Sequence, residues 1–101
     1  MPKYPINITL AAERDLNDIV GYLAHDNPAA TLQLVDQIQE SILPLEDFPL
    51  RGVIPKNRRL AQRGYRMLII QNYLVFYVML DNEILEIRRI ISDNRVYQFL
   101  L

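Results

Sequence analysis

The chain has 101 residues, half of them apolar and 23% charged, with nine Tyr and Phe and neither Trp nor Cys. That is enough to fold around one core without staples and too little for two, and the missing thiols exclude disulfide and thiolate chemistry. The net charge of −1 conceals a division: residues 1–50 carry two basic and eight acidic side chains, net −6, and residues 51–101 carry nine basic and four acidic, net +5. Folded onto different faces, these halves would let one face meet a polyanion that the other repels.

Ile6, Ile8 and Leu10 alternate with Asn7 and Thr9, the period of a half-buried strand. From Ala12 the period becomes helical, with Leu16, Ile19, Val20 and Leu23 on one stripe, a cap at or near Thr9 and an end near His25. Asn27-Pro28 is a helix restart, because Asn accepts from free amides and Pro in the first turn gives up no needed donor. The second helix is expected from about Pro28 to Asp47, with Val35, Ile38, Ile42 and Leu45 inward and Pro44 bending its last turn. So short a link implies an antiparallel helical hairpin.

Residues 49–64 hold Pro49, Gly52, Pro55 and Gly64 with little periodicity and read as an irregular connection, made basic by Arg51, Lys56, Arg58, Arg59 and Arg63. Three strands follow, about Tyr65–Ile70, Tyr73–Leu80 and Glu83–Ile91, joined by Gln71-Asn72 and Asp81-Asn82 in tight hairpins. The middle strand is apolar on both faces and so is central. Ser92-Asp93-Asn94 turns the chain into a short tail, Arg95–Leu101. The expected class is α+β: an N-terminal strand, a two-helix hairpin on one sheet face, a three-stranded antiparallel meander and the tail.

The longest apolar run, Tyr73–Leu80, covers eight residues against the roughly 20 of a membrane-crossing helix, and residues 1–5 lack a signal peptide's apolar core. One cytoplasmic domain over 1–101, without membrane contact, is therefore expected. Strand alternation puts Arg66 with Leu68 and Ile70, and Arg89 with Leu85, Ile87 and Ile91. If Met67 and Ile69 meet the helices, Arg66 and Arg89 flank the central strand on the bare face and form a phosphate-binding floor with the basic loop at its rim. The alternative is structural pairing of Arg66, Arg88 or Arg89 with Glu83, Glu86 or Asp93.

His25 suits a helix C-terminus, and Glu13, Asp15 and Asp18 suit a first helical turn better than a metal site. No metal or cofactor is expected. Tyr22, Tyr65, Tyr73 and Tyr77 read as packing residues, and Tyr97 is the aromatic nearest a functional surface. No phosphate loop, Ser/His/Asp set or Cys/His arrangement is present.

Five fragments in order resemble the RelE/ParE superfamily: Leu45-Glu46-Asp47-Phe48-Pro49 before Gly52, Gly64-Tyr65-Arg66-Met67-Leu68, Asn72-Tyr73-Leu74-Val75-Phe76-Tyr77, Ile87-Arg88-Arg89-Ile90, and Arg95 beyond. The resemblance covers nearly the whole chain. It implies a small growth-arresting toxin of a type II toxin-antitoxin, or plasmid-stabilisation, module, neutralised by a cognate antitoxin. RelE-like members cleave messenger RNA on the ribosome without metal, and ParE-like members inhibit DNA gyrase by binding.

Arg66 and Tyr97 match by position, Arg89 lies one step before Ile91 on the same face and Arg95 lies beyond; these four are the candidate catalytic residues, while Lys56, Arg58, Arg59 and Arg63 of the basic loop are the candidates for nucleic-acid or target binding. Leu74 and Ile91 stand where RelE-like nucleases place cationic or imidazole groups. Losing one charge-stabilising donor typically costs ~10²-fold in rate, and no general base is evident. The long second helix and the ending with Arg89 and Arg95 look more ParE-like. The other readings are a ribosome-dependent endoribonuclease and a decayed toxin kept as a DNA-binding co-repressor.

Overall fold

A computed structural model describes residues 3–93. Strand β1 (Ile6–Ile8) leads into helix α1 (Leu10–Asp26), α2 (Pro28–Ile42) and a 3₁₀ turn (Leu43–Glu46). A five-residue helix α3 (Arg58–Gln62) precedes β2 (Arg66–Ile70), β3 (Tyr73–Leu80) and β4 (Ile84–Ser92). The sheet order is β1-β4-β3-β2, with β1 parallel to β4 and the rest antiparallel. The α+β class and the meander agree with the sequence reading. No helix among the described residues is long and apolar enough to cross a membrane.

Local chemistry sets the boundaries. Thr9 accepts from the Ala12 amide as the N-cap of α1, and its hydroxyl also donates to the Arg88 carbonyl, tying the helix start to β4. Asn27 closes one helix and opens the next: its amide donates to Leu23 and its side chain accepts from Ala30, with Pro28 beginning α2. Pro44 lacks the amide that would continue α2, and the chain tightens to a 3₁₀ turn instead of running helical to Asp47. The hairpins turn through left-handed Gln71 and through Asp81-Asn82, where short polar side chains tolerate positive φ.

Central β3 is buried from Leu74 to Val78 and separates two cores. On the helical side Val75, Tyr77, Leu85, Ile87, Ile90 and Ile70 pack with Ala12, Leu34, Ile38 and Leu45. On the other side Leu74, Phe76, Val78 and Ile91 pack with Tyr65, Leu60 of α3 and Met67. The segment expected to be wholly irregular thus contains a helix whose one buried side chain helps cover the second face.

Three assignments of side chains to surfaces are corrected. Leu68 and Ile70 meet the helical core, whereas Met67 joins the opposite one and Ile69 is 61% exposed. Tyr22 is 76% exposed and packs no core. Arg89 does not share a face with Ile87, because the register shifts between Phe76 and Tyr77: Tyr77 opposes Ile87, Phe76 opposes Arg89, and Arg88 is the extra residue of a bulge. The bulge reverses the alternation of β4, so Leu85 and Ile87 face the helices while Arg89 and Ile91 start from the other side.

Beyond β1, the edge of β4 is capped by a side chain. Asp15 accepts from the Ile90 amide at 2.9 Å and takes Arg89 in a two-point pair, Nε at 2.7 Å and Nη2 at 2.9 Å. The hydrogen bond to Asp15 raises the Arg89 guanidinium above its ordinary value, fixing its charge. Asp15→Ala leaves a backbone donor and a half-buried guanidinium without this acceptor. A loss of about 1–3 kcal/mol is expected in urea unfolding, with a smaller loss for Asp15→Asn, which keeps an acceptor for Ile90.

Candidate functional site

The loop between the helical hairpin and the meander is strapped to the sheet from below. Tyr77 is fully buried, and a buried hydroxyl must find partners. Its hydroxyl donates to the Pro49 carbonyl and accepts from the Gly52 amide, both at 2.8 Å. Arg66, opposite Tyr77 on β2, reaches the same segment, and its Nη1 donates to Leu50 at 3.0 Å and to Gly52 at 2.9 Å. The strap continues as a two-bond bridge between Val53 and Met67 on the outer edge of β2. Gly52 is needed by contact: a Cβ there would lie 2.5 Å from the Tyr77 hydroxyl oxygen and 2.7 Å from its ring.

Past the strap, Asn57 caps α3 by accepting from Arg59 and Leu60, and Gly64 at φ +81° turns the chain into β2. Leu60 anchors α3 while Lys56, Arg58, Arg59 and Arg63 are exposed around it. Between Asp47 and Asp81 the chain has six basic residues and no carboxylate.

The expected arginine floor does not form. Arg66 leaves the sheet on the helical side, opposite Tyr77, and binds the strap. Arg89 leaves on the other side, opposite Phe76, and turns around the edge to Asp15. Arg88 pairs with Glu86, one of the structural pairings considered from the sequence. Leu74 and Ile91 are buried in the core away from the helices. Arg95 and Tyr97 lie outside the described residues. Among the described residues no group of three or more His, Cys, Asp or Glu is placed to hold a metal ion.

Two features escape the sequence reading. Asp15 acts as a lock on β4 as well as an acid near a helix start, and nothing in its local pattern marks this. Tyr77 carries a hydroxyl at the centre of an otherwise apolar strand, a signal that some backbone group must come to meet it. A groove of about 610 Å³ also runs between α2, with Gln37, Glu40 and Ser41, and the edge of β2, with Val53 and Ile69. Gln71 donates to Gln37 at 2.7 Å near its end. Leu43, Phe48, Leu50 and Ile54 add exposed apolar surface in the strap and the turn before it.

Residues 6–97 match the family model described as the ParE toxin of the type II toxin-antitoxin system, parDE. The chain belongs to the ParE toxin family. Among solved structures, this ParE-family chain is similar to one from the chromosomal ParDE toxin-antitoxin system of P. aeruginosa. The TM-score is 0.72 at 21% identity, over 89% of this chain and 96% of the other. It is also similar to a chain of the RelBE2 toxin-antitoxin complex of Mycobacterium tuberculosis, with TM-score 0.54 at 23% identity over 91% and 93%. No curated protein matches it. The ParE-family fold is thus shared with the RelE-type architecture, as the resemblance implied.

Removing the hydroxyl in Tyr77→Phe leaves the Gly52 amide and the Pro49 carbonyl without their partner, and a loss of about 1–3 kcal/mol in denaturant unfolding is expected. Burial, partly offset by the Gly52 bond and by Arg66, raises the Tyr77 hydroxyl above the ordinary 10.0. The native state therefore holds this proton more tightly than the unfolded chain. The stabilisation is full below pH 10 and is lost as pH rises through the raised native value, a component that Tyr77→Phe lacks in the same measurement. Gly52→Ala forces the strap off Tyr77, and a midpoint shift equivalent to about 1–3 kcal/mol is expected.

Proposed function

We propose that this toxin acts on DNA gyrase by binding it, and that residues 1–101 act as one toxin domain neutralised by a cognate antitoxin. The observation that carries this reading is the separation of Arg66 and Arg89 onto opposite sheet faces, each engaged in holding the fold. Metal-free RNA cleavage needs cationic donors converging on one phosphate, and the described residues supply no such convergence. Two of the positions where a nuclease needs polar groups, Leu74 and Ile91, are buried apolar side chains. The ParE family model favours the same reading.

Both similar solved structures come from toxin-antitoxin systems, which supports an antitoxin partner here. The surface suited to it is apolar. Ile69 is exposed along the groove against α2, Leu43, Phe48, Leu50 and Ile54 are exposed in the segments before α3, and a partner segment is what such apolar surface favours in solution.

With purified gyrase and relaxed plasmid, the toxin is expected to suppress supercoiling or to accumulate cleaved DNA, and pre-mixing with the product of the adjacent gene is expected to restore activity. Unaltered supercoiling at stoichiometric excess overturns the proposal. Cleaved message on translating ribosomes in a parallel reaction would reassign the target to translation.

A further inference from the structure

We infer that the exposed α3 face, through Lys56, Arg58 and Arg59, binds the phosphate backbone of duplex DNA directly; the choice of DNA as the duplex rests on the gyrase reading. The first ground is availability. The ion pairs of Arg88 and Arg89 and the backbone bonds of Arg66 occupy the strand arginines. Lys56, Arg58 and Arg59 are exposed and, among the described residues, have no carboxylate partner. Arg58 and Arg59 project from a helix anchored by Leu60, and Lys56 precedes its Asn57 cap, in a stretch that carries no acid from Phe48 to Leu80.

The second ground is field geometry. Leu60 packs on the sheet face opposite the one covered by α1 and α2. The hairpin carries Glu13, Asp18, Asp36 and Glu40, yet the sheet and two packed interfaces lie between those acids and α3. At about 10 Å per packed layer, this separation exceeds the Debye length of about 8 Å at physiological ionic strength. The hairpin acids therefore add little to the field an anion meets at α3.

The third ground distinguishes duplex from single strand. Single-strand binding sites combine cations with exposed rings on which bases stack. The rings packed with Leu60 beneath α3, Tyr65 and Phe76, are buried in an edge-to-face pair with centroids 6.3 Å apart. A cationic surface whose underlying rings, among the described residues, are packed away from solvent fits backbone phosphates and reads no sequence. A toxin able to touch the duplex could engage gyrase on its DNA.

The test measures anisotropy of labelled duplex DNA, duplex RNA and single-stranded DNA of equal length, titrated with the purified toxin between 50 and 200 mM salt, without gyrase. Three phosphate contacts predict a log–log salt slope of about −2.7, which is roughly a 40-fold loss of affinity across that range. Arg58→Gln and Arg59→Gln should each bring the slope to about −1.8, and unfolding midpoints equal to the parent's confirm that the exposed substitutions leave the fold intact.

Absence of duplex DNA binding at 50 mM salt, a slope unchanged in the Lys56→Gln/Arg58→Gln/Arg59→Gln variant, or tighter binding to single strands or to duplex RNA each overturns the inference. Supercoiling measured with the same preparations separates the two readings. Gyrase inhibition without DNA binding removes only the α3 contact, whereas DNA binding with unaffected gyrase removes the gyrase target.

Discussion

A phenolic hydroxyl in the interior of β3 sets the terms for the half of the molecule that follows the helical hairpin. Tyr77 has no water available and no neighbour on its own strand to bond, so the chain from Pro49 to Gly52 must come to it. That requirement explains the otherwise irregular segment. Pro49 presents a carbonyl, Gly52 allows the amide to approach without a Cβ in the way, and Val53 then falls beside Met67 to cover part of the edge of β2. With the strap fixed, the route to Asn57 and α3 is fixed as well, and the basic face is presented from an anchored base.

The strand arginines belong to the same economy of buried polar groups. Arg66 gives two hydrogen bonds to the strap, and Arg89 with Asp15 closes the edge of β4 where β1 has ended. Each guanidinium bridges elements far apart in the chain. Such residues are tempting as catalytic groups when only strand alternation is visible, since an arginine in a sheet has an obvious use as a phosphate ligand. Here the geometry supports a different division: the engaged cations hold the fold together, and the exposed ones around α3 face solvent. Fold alone would not separate the activities hosted by this architecture; the placement of individual side chains is what favours one over the other.

Much of this was legible in the chain because the signals are local. Asn27-Pro28 both ends and begins a helix by its own chemistry, Pro44 necessarily interrupts one, and eight apolar residues from Tyr73 between two polar pairs read as a strand covered on both sides. The family resemblance rests on the same segments. What was illegible depends on long-range pairing. The bulge at Arg88 leaves no mark on the alternation of β4, so Arg89 was placed with Ile87 and on a common face with Arg66. Which side of β2 meets the helices depends on its pairing with β3, and Met67 with Ile69 is as apolar a pair as Leu68 with Ile70. The lock between Asp15 and Ile90 joins residues 75 positions apart. The helix α3 is a partial exception, since Asn57 followed by Arg-Arg-Leu is a capping pattern that five residues made easy to pass over.

Among the described residues, one stretch of β2 is left without cover. The Val53 bridge ends at Met67, and two residues on, Ile69 turns its backbone amide and carbonyl outward with an exposed side chain beside them. Natural sheets usually blunt such a border with lysine, proline or a twist, because it templates the addition of foreign strands. This one carries only a branched aliphatic. A copy without a companion would therefore carry an open border that a second copy could extend.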